Sequence, residues 1–210
     1  LAELAPPEGT PSDTALVIGE NALTPTLPHS QTPTLSSYVA AGGRVLVLAQ
    51  TNLLANLPVR TQLETREWSS MPFVRTPQHP IFSGEPAATQ SSMSSWDLHF
   101  WQPDHVSARG AYSKPEGGAC VTLVDSGSDK GLEWVQMMEC YRGRGLYLLN
   151  QLPVIAKGAA EPMARELTSR LVRYIAGAKE FRQPVHPLHV VARSGSAALD
   201  KPEALGVDCR

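Results

Sequence analysis

Cysteine is scarce in this chain of 210 residues, with only Cys120, Cys140 and Cys209 present. A disulfide framework needs an even and closely spaced set of cysteines, so this fold must be held by a hydrophobic core. A chain of this length is long enough to bury one. We interpret Cys120 and Cys140 as small apolar residues on strands rather than as nucleophiles.

Long apolar runs and an excess of one charge are also missing. No apolar run approaches the ~20 residues that a helix needs to cross a bilayer, so a membrane is not a predicted partner. The 18 basic and 20 acidic residues give a net charge of −2. No basic stretch is interleaved with aromatic residues, and nucleic acid is therefore not a predicted partner either. The sequence begins at Leu1 without a methionine, from which we expect a processed product or a piece of a longer protein.

Three segments differ in composition. Residues 1–14 are rich in proline, glutamate and threonine, which is typical of an extended linker. Residues 15–180 carry the periodic apolar patterns of an α/β domain. Residues 181–210 are expected to be a linker followed by the start of a second strand–helix unit; the alternative is a tail that packs on the first domain.

The stretch from Leu35 to Gln50, LSSYVAAGGRVLVLAQ, predicts the end of a helix, a glycine stop and a strand. Thr32 followed by proline indicates the helix start, and Gly42 supplies the stop. The continuous apolar runs at 45–48 and at 15–19 are typical of parallel strands buried on both faces. Strand, helix and strand in this order predict a right-handed β–α–β unit.

The later part of the chain predicts antiparallel pairing. A glycine turn at 142–145 separates apolar segments 132–141 and 146–150, which indicates a hairpin. A strand at 119–124 is expected to end in a turn at 125–129, and a further strand is expected within 60–66. The strongest helix begins at Glu161-Pro162 and ends at Gly177.

The segment from Ala15 to Gly177 resembles the class I glutamine-amidotransferase-like superfamily. More narrowly, it is similar to the amidotransferase-like accessory domains of multidomain glycoside hydrolases of the β-galactosidase type. The motifs that carry the resemblance are ALVIG, LSSYVAAGGRVLVLAQ, HPIFSG, WDLHFW and GRGLYLLNQLPV. The resemblance implies an α/β fold, a three-layer α/β/α sandwich with a mainly parallel, flavodoxin-like sheet and a late antiparallel hairpin.

The resemblance also implies that this chain does not catalyse a reaction, because the superfamily's catalytic residues have no counterpart in it. The superfamily places its nucleophilic cysteine on the turn after a strand like 45–48, beside helix amides that stabilise an oxyanion. Here that turn reads Ala49-Gln50-Thr51-Asn52, and the later His-x-Glu pair has no counterpart after Gln151. We predict no catalytic residue, no cofactor and no metal. Gln50, Thr51 and Asn52 remain candidates for a ligand crevice, because ligands bind at the carboxyl ends of strands in open α/β sheets.

Trp96, Phe100 and Trp101 are the second candidate site. Three interpretations stay open: the rings close the edge of the core, they dock the chain on a neighbouring domain, or they stack on sugar rings. Asp97, His99, Asp104 and His105 lie close together in sequence, but Pro103 separates the two pairs. We therefore interpret those four as rim residues of a loop rather than as metal ligands.

The sequence-based hypothesis is a non-catalytic scaffold, or a contact domain between domains or subunits, in a larger carbohydrate-processing enzyme. Its expected partners are other domains of the parent chain or a second copy, with carbohydrate as a further candidate. The alternatives are a carbohydrate-binding module that uses Trp96 and Trp101, and a stand-alone hydrolase with a site at the carboxyl edge of the sheet. Membership of a secreted glycosidase would place the chain outside the cell or in the periplasm; the residues themselves assign no compartment.

Overall fold

The computed structural model describes residues 14–23, 32–83, 91–128 and 131–177. The predictions for 1–13 and for 178–210, which include most of the first linker and the second strand–helix unit, lie outside the described residues. The described residues form eight strands and four α-helices, together with a 3-10 helix at Ser95–Leu98. The strands are β1 (Ala15–Ile18), β2 (Arg44–Val47), β3 (Leu63–Glu64), β4 (Phe73–Val74), β5 (Ala111–Ser113), β6 (Cys120–Ser128), β7 (Gly131–Arg142) and β8 (Gly145–Asn150). The helices are α1 (Thr32–Ala40), α2 (Pro80–Ser83), α3 (Val154–Lys157) and α4 (Pro162–Ala176).

The strands form one open, mixed sheet. β1, β2 and β8 are neighbours and run parallel, with Val45 of β2 opposite Leu16 on one side and opposite Tyr147 on the other. β7 is antiparallel to β8 and is long enough to pair with three strands. β8 and β5 lie along one edge of β7 and β6 along the other, while β3 and β4 extend the sheet beyond β5 and β6.

The predicted hairpin is confirmed, since β7 and β8 pair from Arg142 opposite Gly145 at the turn to Met137 opposite Asn150. Antiparallel pairing extends further than the sequence predicts, because parallel pairing among the described strands involves only β1, β2 and β8. The strand expected within 60–66 is reduced to the two residues of β3.

The turn predicted at 125–129 is wrong, because β6 continues to Ser128. Asp125 and Ser126 are residue types typical of turns, but both are buried and hydrogen-bonded here. The carboxylate of Asp125 accepts from Arg75 Nε at 2.6 Å and from Lys114 Nζ at 2.9 Å. Irregularities in the β6–β7 register accompany this segment. Buried polar groups with partners are compatible with a strand, which composition alone does not reveal.

β2 lies in the middle of the parallel part, and all four of its residues are buried. Its side chains alternate between two core clusters. Leu46 packs into the cluster that contains α4, while Val45 and Val47 pack into the cluster that contains α1. The two helices therefore lie against opposite faces of the sheet, and each apolar side chain of β2 contributes about 1.5–3 kcal/mol by burial.

β1 differs from the prediction of a strand buried on both faces. It is the edge strand of the parallel part, and its Val17 is 44% exposed. An edge strand has a neighbour on one side only, so an apolar run there can leave one residue uncovered.

The predicted start and face of α4 are confirmed. The side chain of Glu161 accepts a hydrogen bond from Met163 N at 3.2 Å, and Pro162 occupies the first turn. Leu167, Leu171 and other apolar residues of one face are buried, and Gly177 follows the last residue of the helix. None of the helices in the described part of the chain combines the length and the apolar character needed to cross a membrane.

Gly145 predicts a stability test of the contact between the hairpin and α1. A Cβ atom at Gly145 would lie 2.0 Å from Val39 O and 2.3 Å from Gly43 O, both of which are backbone atoms. We expect Gly145→Ala to lower the free energy of unfolding by about 1–3 kcal/mol, since backbone must move to relieve the overlap. Urea denaturation measures this change. The matched control is Gly19→Ala, where nothing lies within 4 Å of the added atom; equal losses in the two variants would contradict the close approach.

Candidate functional site

The carboxyl ends of β1, β2 and β8 meet at the edge where the sequence places a ligand crevice, and Gln50 lies at its centre. The residue is 4% exposed. Its Oε1 accepts from Leu23 N at 2.9 Å, and its Nε2 donates to Gly19 O at 2.6 Å and to Leu48 O at 2.7 Å. The side-chain amide therefore uses both of its ends to connect β2 with the loop after β1.

The neighbours of Gln50 extend this network. Asn52 Nδ2 donates to Leu23 O at 2.9 Å, and the backbone N of Gln50 donates to Gln151 Oε1 at 3.3 Å. Thr51 is exposed and points its hydroxyl oxygen at Asn52 Nδ2, 3.3 Å away. Of the three predicted crevice residues, Gln50 and Asn52 thus hold the 19–23 loop, and Thr51 alone faces solvent.

Glu20 fills the remaining anion-binding position at this edge. Its carboxylate oxygens accept hydrogen bonds from Ile155 N at 2.8 Å and from Ala156 N at 3.0 Å, at the start of α3. Free amides at a helix start attract negative charge. Here a side chain of the same chain supplies that charge, so the amides of α3 are not free for a substrate.

Trp101 does not belong to a surface patch, which corrects the sequence-based assignment. It is 1% exposed, and its indole Nε1 donates to Asp97 O at 2.9 Å. The ring lies in the core cluster beneath α4. A tryptophan that satisfies its N–H within its own loop can be buried completely. The pair of tryptophans proposed as a sugar platform is therefore not formed.

Trp96 and Phe100 are exposed, which favours the contact interpretations over closure of the core, and two exposed residues come from an earlier segment. Phe100 N donates to Ser70 O at 2.8 Å, which brings the 68–71 segment alongside. Trp96 is 77% exposed and Trp68 is 65% exposed, and Met71 is exposed as well. We call Trp68, Met71, Trp96 and Phe100 the aromatic patch. Nothing in sequence links residues 68–71 to residues 96–100, since only the fold brings them together.

His99 supports the patch from below. Its ring lies 5.1 Å from the ring of Trp96 and 6.0 Å from that of Phe100, in edge-to-face geometry in both cases. Its Nε2 lies 3.0 Å from Pro72 O. Pairs of this kind restrict ring motion, so His99 helps to hold the rings of Trp96 and Phe100 in place.

The four residues weighed as metal ligands have other contacts, and His105 Nδ1 lies 3.4 Å from Gln102 Nε2. Asp97 accepts from Ser94 N at 2.7 Å, and His99 is engaged as described. Asp104 pairs with Lys157 and Arg109, and hydrogen bonds from Lys157, from the Val106 backbone and from Arg109 lower the pKa of its carboxyl. Across the described ranges, no group of three or more histidine, cysteine or acidic side chains is arranged to hold a metal ion.

A buried polar cluster on β7 was not anticipated from the sequence. Glu139 is 2% exposed and accepts hydrogen bonds from Tyr174 OH at 2.6 Å and from Tyr141 OH. His79 Nε2 lies 3.2 Å from the same carboxylate. Because His79 Nδ1 accepts from Ile81 N, we place the ring proton on Nε2, where it is donated to Glu139. The HPIFSG motif contains this histidine, which was the only sequence signal available.

The electrostatics of this cluster favour an ionised carboxylate. Burial alone would raise the pKa of Glu139, but the hydrogen bonds donated by His79 and by the hydroxyls of Tyr141 and Tyr174 lower it below its ordinary value. The pKa values of both tyrosines are raised by burial and by the neighbouring carboxylate. Burial also raises the pKa of the Cys140 thiol, which therefore lacks thiolate character at neutral pH.

Comparisons with known proteins do not identify a family. No protein-family model matches the chain, and no curated protein matches it. Among solved structures, the chain is similar to the exo-β-1,4-mannosidase Op5Man5 from Opitutaceae bacterium strain TAV5, with a TM-score of 0.41 and 16% identity over 80% of this chain and 26% of the mannosidase. It is also similar to the cytoplasmic protein STM3548 from Salmonella typhimurium, with a TM-score of 0.44 and 14% identity over 82% of this chain and 77% of that protein. The chain thus spans about a quarter of the mannosidase, and neither similarity is close enough to assign an activity.

Replacement of Gln50 tests its structural role. Gln50→Ala leaves Leu23 N, Gly19 O and Leu48 O without their partner, so we expect the free energy of unfolding to fall by about 1–3 kcal/mol in chemical denaturation. Thr51→Ala is the matched control, and we expect a change within about 0.5 kcal/mol because the residue is exposed. An unchanged stability of Gln50→Ala would mean that the amide is not needed to hold the 19–23 loop.

The Glu139 cluster predicts a pH dependence of stability. The pKa of the Glu139 carboxyl is lower in the folded chain than in the unfolded chain. The stabilisation that the carboxylate provides is therefore complete above about pH 4.5, which is the ordinary pKa of the group, and it is lost as the pH falls through the folded pKa. We expect Glu139→Gln to be less stable than the wild type at pH 7, and the difference to narrow below about pH 4.5. Thermal unfolding between pH 3 and pH 7 measures this, with the half-exposed Glu67→Gln as control. A difference that is constant over this pH range would contradict the assignment.

Proposed function

We propose that this chain is a non-catalytic, amidotransferase-like contact domain of a larger carbohydrate-processing enzyme, a glycoside hydrolase. The observation that carries the proposal is the occupied carboxyl edge of the sheet, where Gln50, Asn52 and Glu20 use the polar groups that a substrate would need. The fold is interpreted as a flavodoxin-like three-layer sandwich, which the placement of α1 and α4 in different core clusters supports. The carbohydrate context comes from the motif resemblance.

The geometry at the edge argues against amidotransferase chemistry. A nucleophile on the turn after β2 must be exposed beside free amides that can stabilise an oxyanion. Gln50 occupies that turn and is buried, and Glu20 occupies the first amides of α3. Binding of an acyl substrate at this edge would require Gln50 and Glu20 to leave their hydrogen bonds.

The aromatic patch is the proposed contact surface. Several large apolar side chains that are exposed on neighbouring segments mark a candidate interaction site. Tryptophan, phenylalanine and methionine are the residue types enriched in the centres of protein interfaces. The ring pairs with His99 help to hold the rings of Trp96 and Phe100 in place before contact, which lowers the entropy cost of binding. We propose another domain of the same parent polypeptide as its partner, with a second copy of the chain as the alternative outcome.

A site-specific cross-linking experiment tests this proposal. A photoreactive phenylalanine analogue at Trp96 in the polypeptide of the full reading frame should cross-link to another domain, because we place this residue at the centre of the contact. The same analogue at Val172, which is exposed on α4, is the control and should give no such product. Cross-links only between two copies would indicate a homo-oligomer instead, and no cross-link from Trp96 would contradict a contact role.

Activity measurements on the purified chain complete the test. We expect no hydrolysis of aryl glycosides or of glutamine above the level of a mock preparation from cells that do not express the chain. Turnover that follows the chain through every purification step would refute the non-catalytic part of the proposal and favour a stand-alone hydrolase.

A further inference from the structure

A groove of about 680 Å³ lies on the β5 side of β7, and it shares no lining residue with the carboxyl edge or with the aromatic patch. Segments 60–62, 113–114, 116–117 and 133–134 form its walls. The volume is within the range of about 300–1,000 Å³ that small-molecule sites occupy. The groove is therefore large enough for a ligand and is not explained by the proposed contact role.

Hydrogen bonds fix the walls of the groove before any ligand is present. Thr61 Oγ1 donates to Ser113 O at 2.7 Å, and Gln62 N donates to Ser113 Oγ at 2.9 Å. Lys114 N donates to Glu133 O at 2.8 Å, which joins the β5 wall to β7. A site whose walls are fixed in this way loses little conformational entropy on binding.

The charges around the groove balance. Lys114 Nζ lies 2.9 Å from the buried carboxylate of Asp125, which also accepts from Arg75. Among the other lining residues, Arg60 and Glu116 are exposed and Glu133 is half-exposed, so cationic and anionic groups both reach the groove. The carboxylates disfavour an anionic ligand, and the cations disfavour a cationic one. A neutral ligand with many hydrogen-bond donors and acceptors can bind both the carboxylates and the cationic groups of the groove.

Trp134 gives the groove an apolar wall. The side chain is half-buried, and its indole Nε1 is inaccessible within the protein. The Nε1 donor is therefore not available to a ligand, and the side chain contributes to the groove as an apolar ring. A pyranose combines the two features that the groove demands, because it has an apolar C–H face and a rim of hydroxyl groups.

We propose that this groove binds a neutral saccharide. Trp134 packs against the C–H face of one ring, Glu116 and Glu133 accept hydrogen bonds from its hydroxyls, and Arg60 donates to its oxygens. This inference is independent of the proposed contact function, since a contact domain need not bind sugar and a sugar-binding chain need not dock on another domain.

Calorimetric titration of the full chain with lactose, cellobiose and maltose tests the inference. We expect saturable binding of at least one of these neutral disaccharides, and weaker binding of glucose 6-phosphate because the carboxylates repel its charge. Trp134→Ala should weaken the binding by about tenfold or more, which corresponds to the loss of one aromatic contact. Glu133→Gln is the second variant. It changes one atom at a half-exposed position on the groove wall and should also weaken binding, so the test stands even if Trp134→Ala fails to fold.

The matched controls are Trp96→Ala for the aromatic residue and Glu67→Gln for the carboxylate, since neither lines the groove. Both should bind the disaccharide as the wild type does. Absence of saturable binding for all three disaccharides would overturn the proposal. Loss of binding in Trp96→Ala with retention in Trp134→Ala would overturn it as well, and would move the sugar site to the aromatic patch. Tighter binding of glucose 6-phosphate than of every neutral disaccharide would refute the neutral class of ligand.

Discussion

Burial of β2 between β1 and β8 is the interaction on which the rest of the structure depends. Its apolar side chains alternate between the two core clusters, so this one strand anchors α1 on one face and α4 on the other. Removal of apolar surface from water is the largest favourable contribution to folding. The residue that follows the strand, Gln50, then joins the loops at the edge through its side-chain amide. The strand and the amide together hold the 19–23 loop at the carboxyl edge of the sheet.

Residue types that often perform chemistry are used here for structure. Lys157 is buried and donates to Trp101 O and to other oxygens of the 101–106 loop. Arg170 is a buried residue of α4 and donates to Ile81 O of α2 and to Ser91 O. Buried charges are tolerated when their hydrogen-bonding groups have partners. Lys157 and Arg170 therefore stabilise loops of the fold and do not indicate a functional site.

The two surfaces that remain open differ in character. The aromatic patch is exposed and apolar, which suits contact with another protein surface. The groove beside Trp134 is polar, balanced in charge and concave, which suits a small neutral ligand. They are formed by different parts of the chain, because the patch belongs to the loops before β5, whereas the groove is formed largely by β5, β7 and the loop between β5 and β6. The two roles can therefore coexist in one domain.

Local pattern determined the elements whose signals lie within a few residues. The helix start at Glu161-Pro162, the hairpin around Gly143 and the buried run at 45–48 could be predicted because capping, turn chemistry and apolar periodicity act locally. Tertiary structure alone decided that Trp101 is buried and that β6 continues through Asp125. It also decided that Gln50 is buried at the carboxyl edge and that the 68–71 segment lies beside Phe100. Those outcomes depend on which residues distant in sequence supply hydrogen bonds and cover apolar surface. Local sequence patterns do not show which distant residues will meet, so these features could not be predicted.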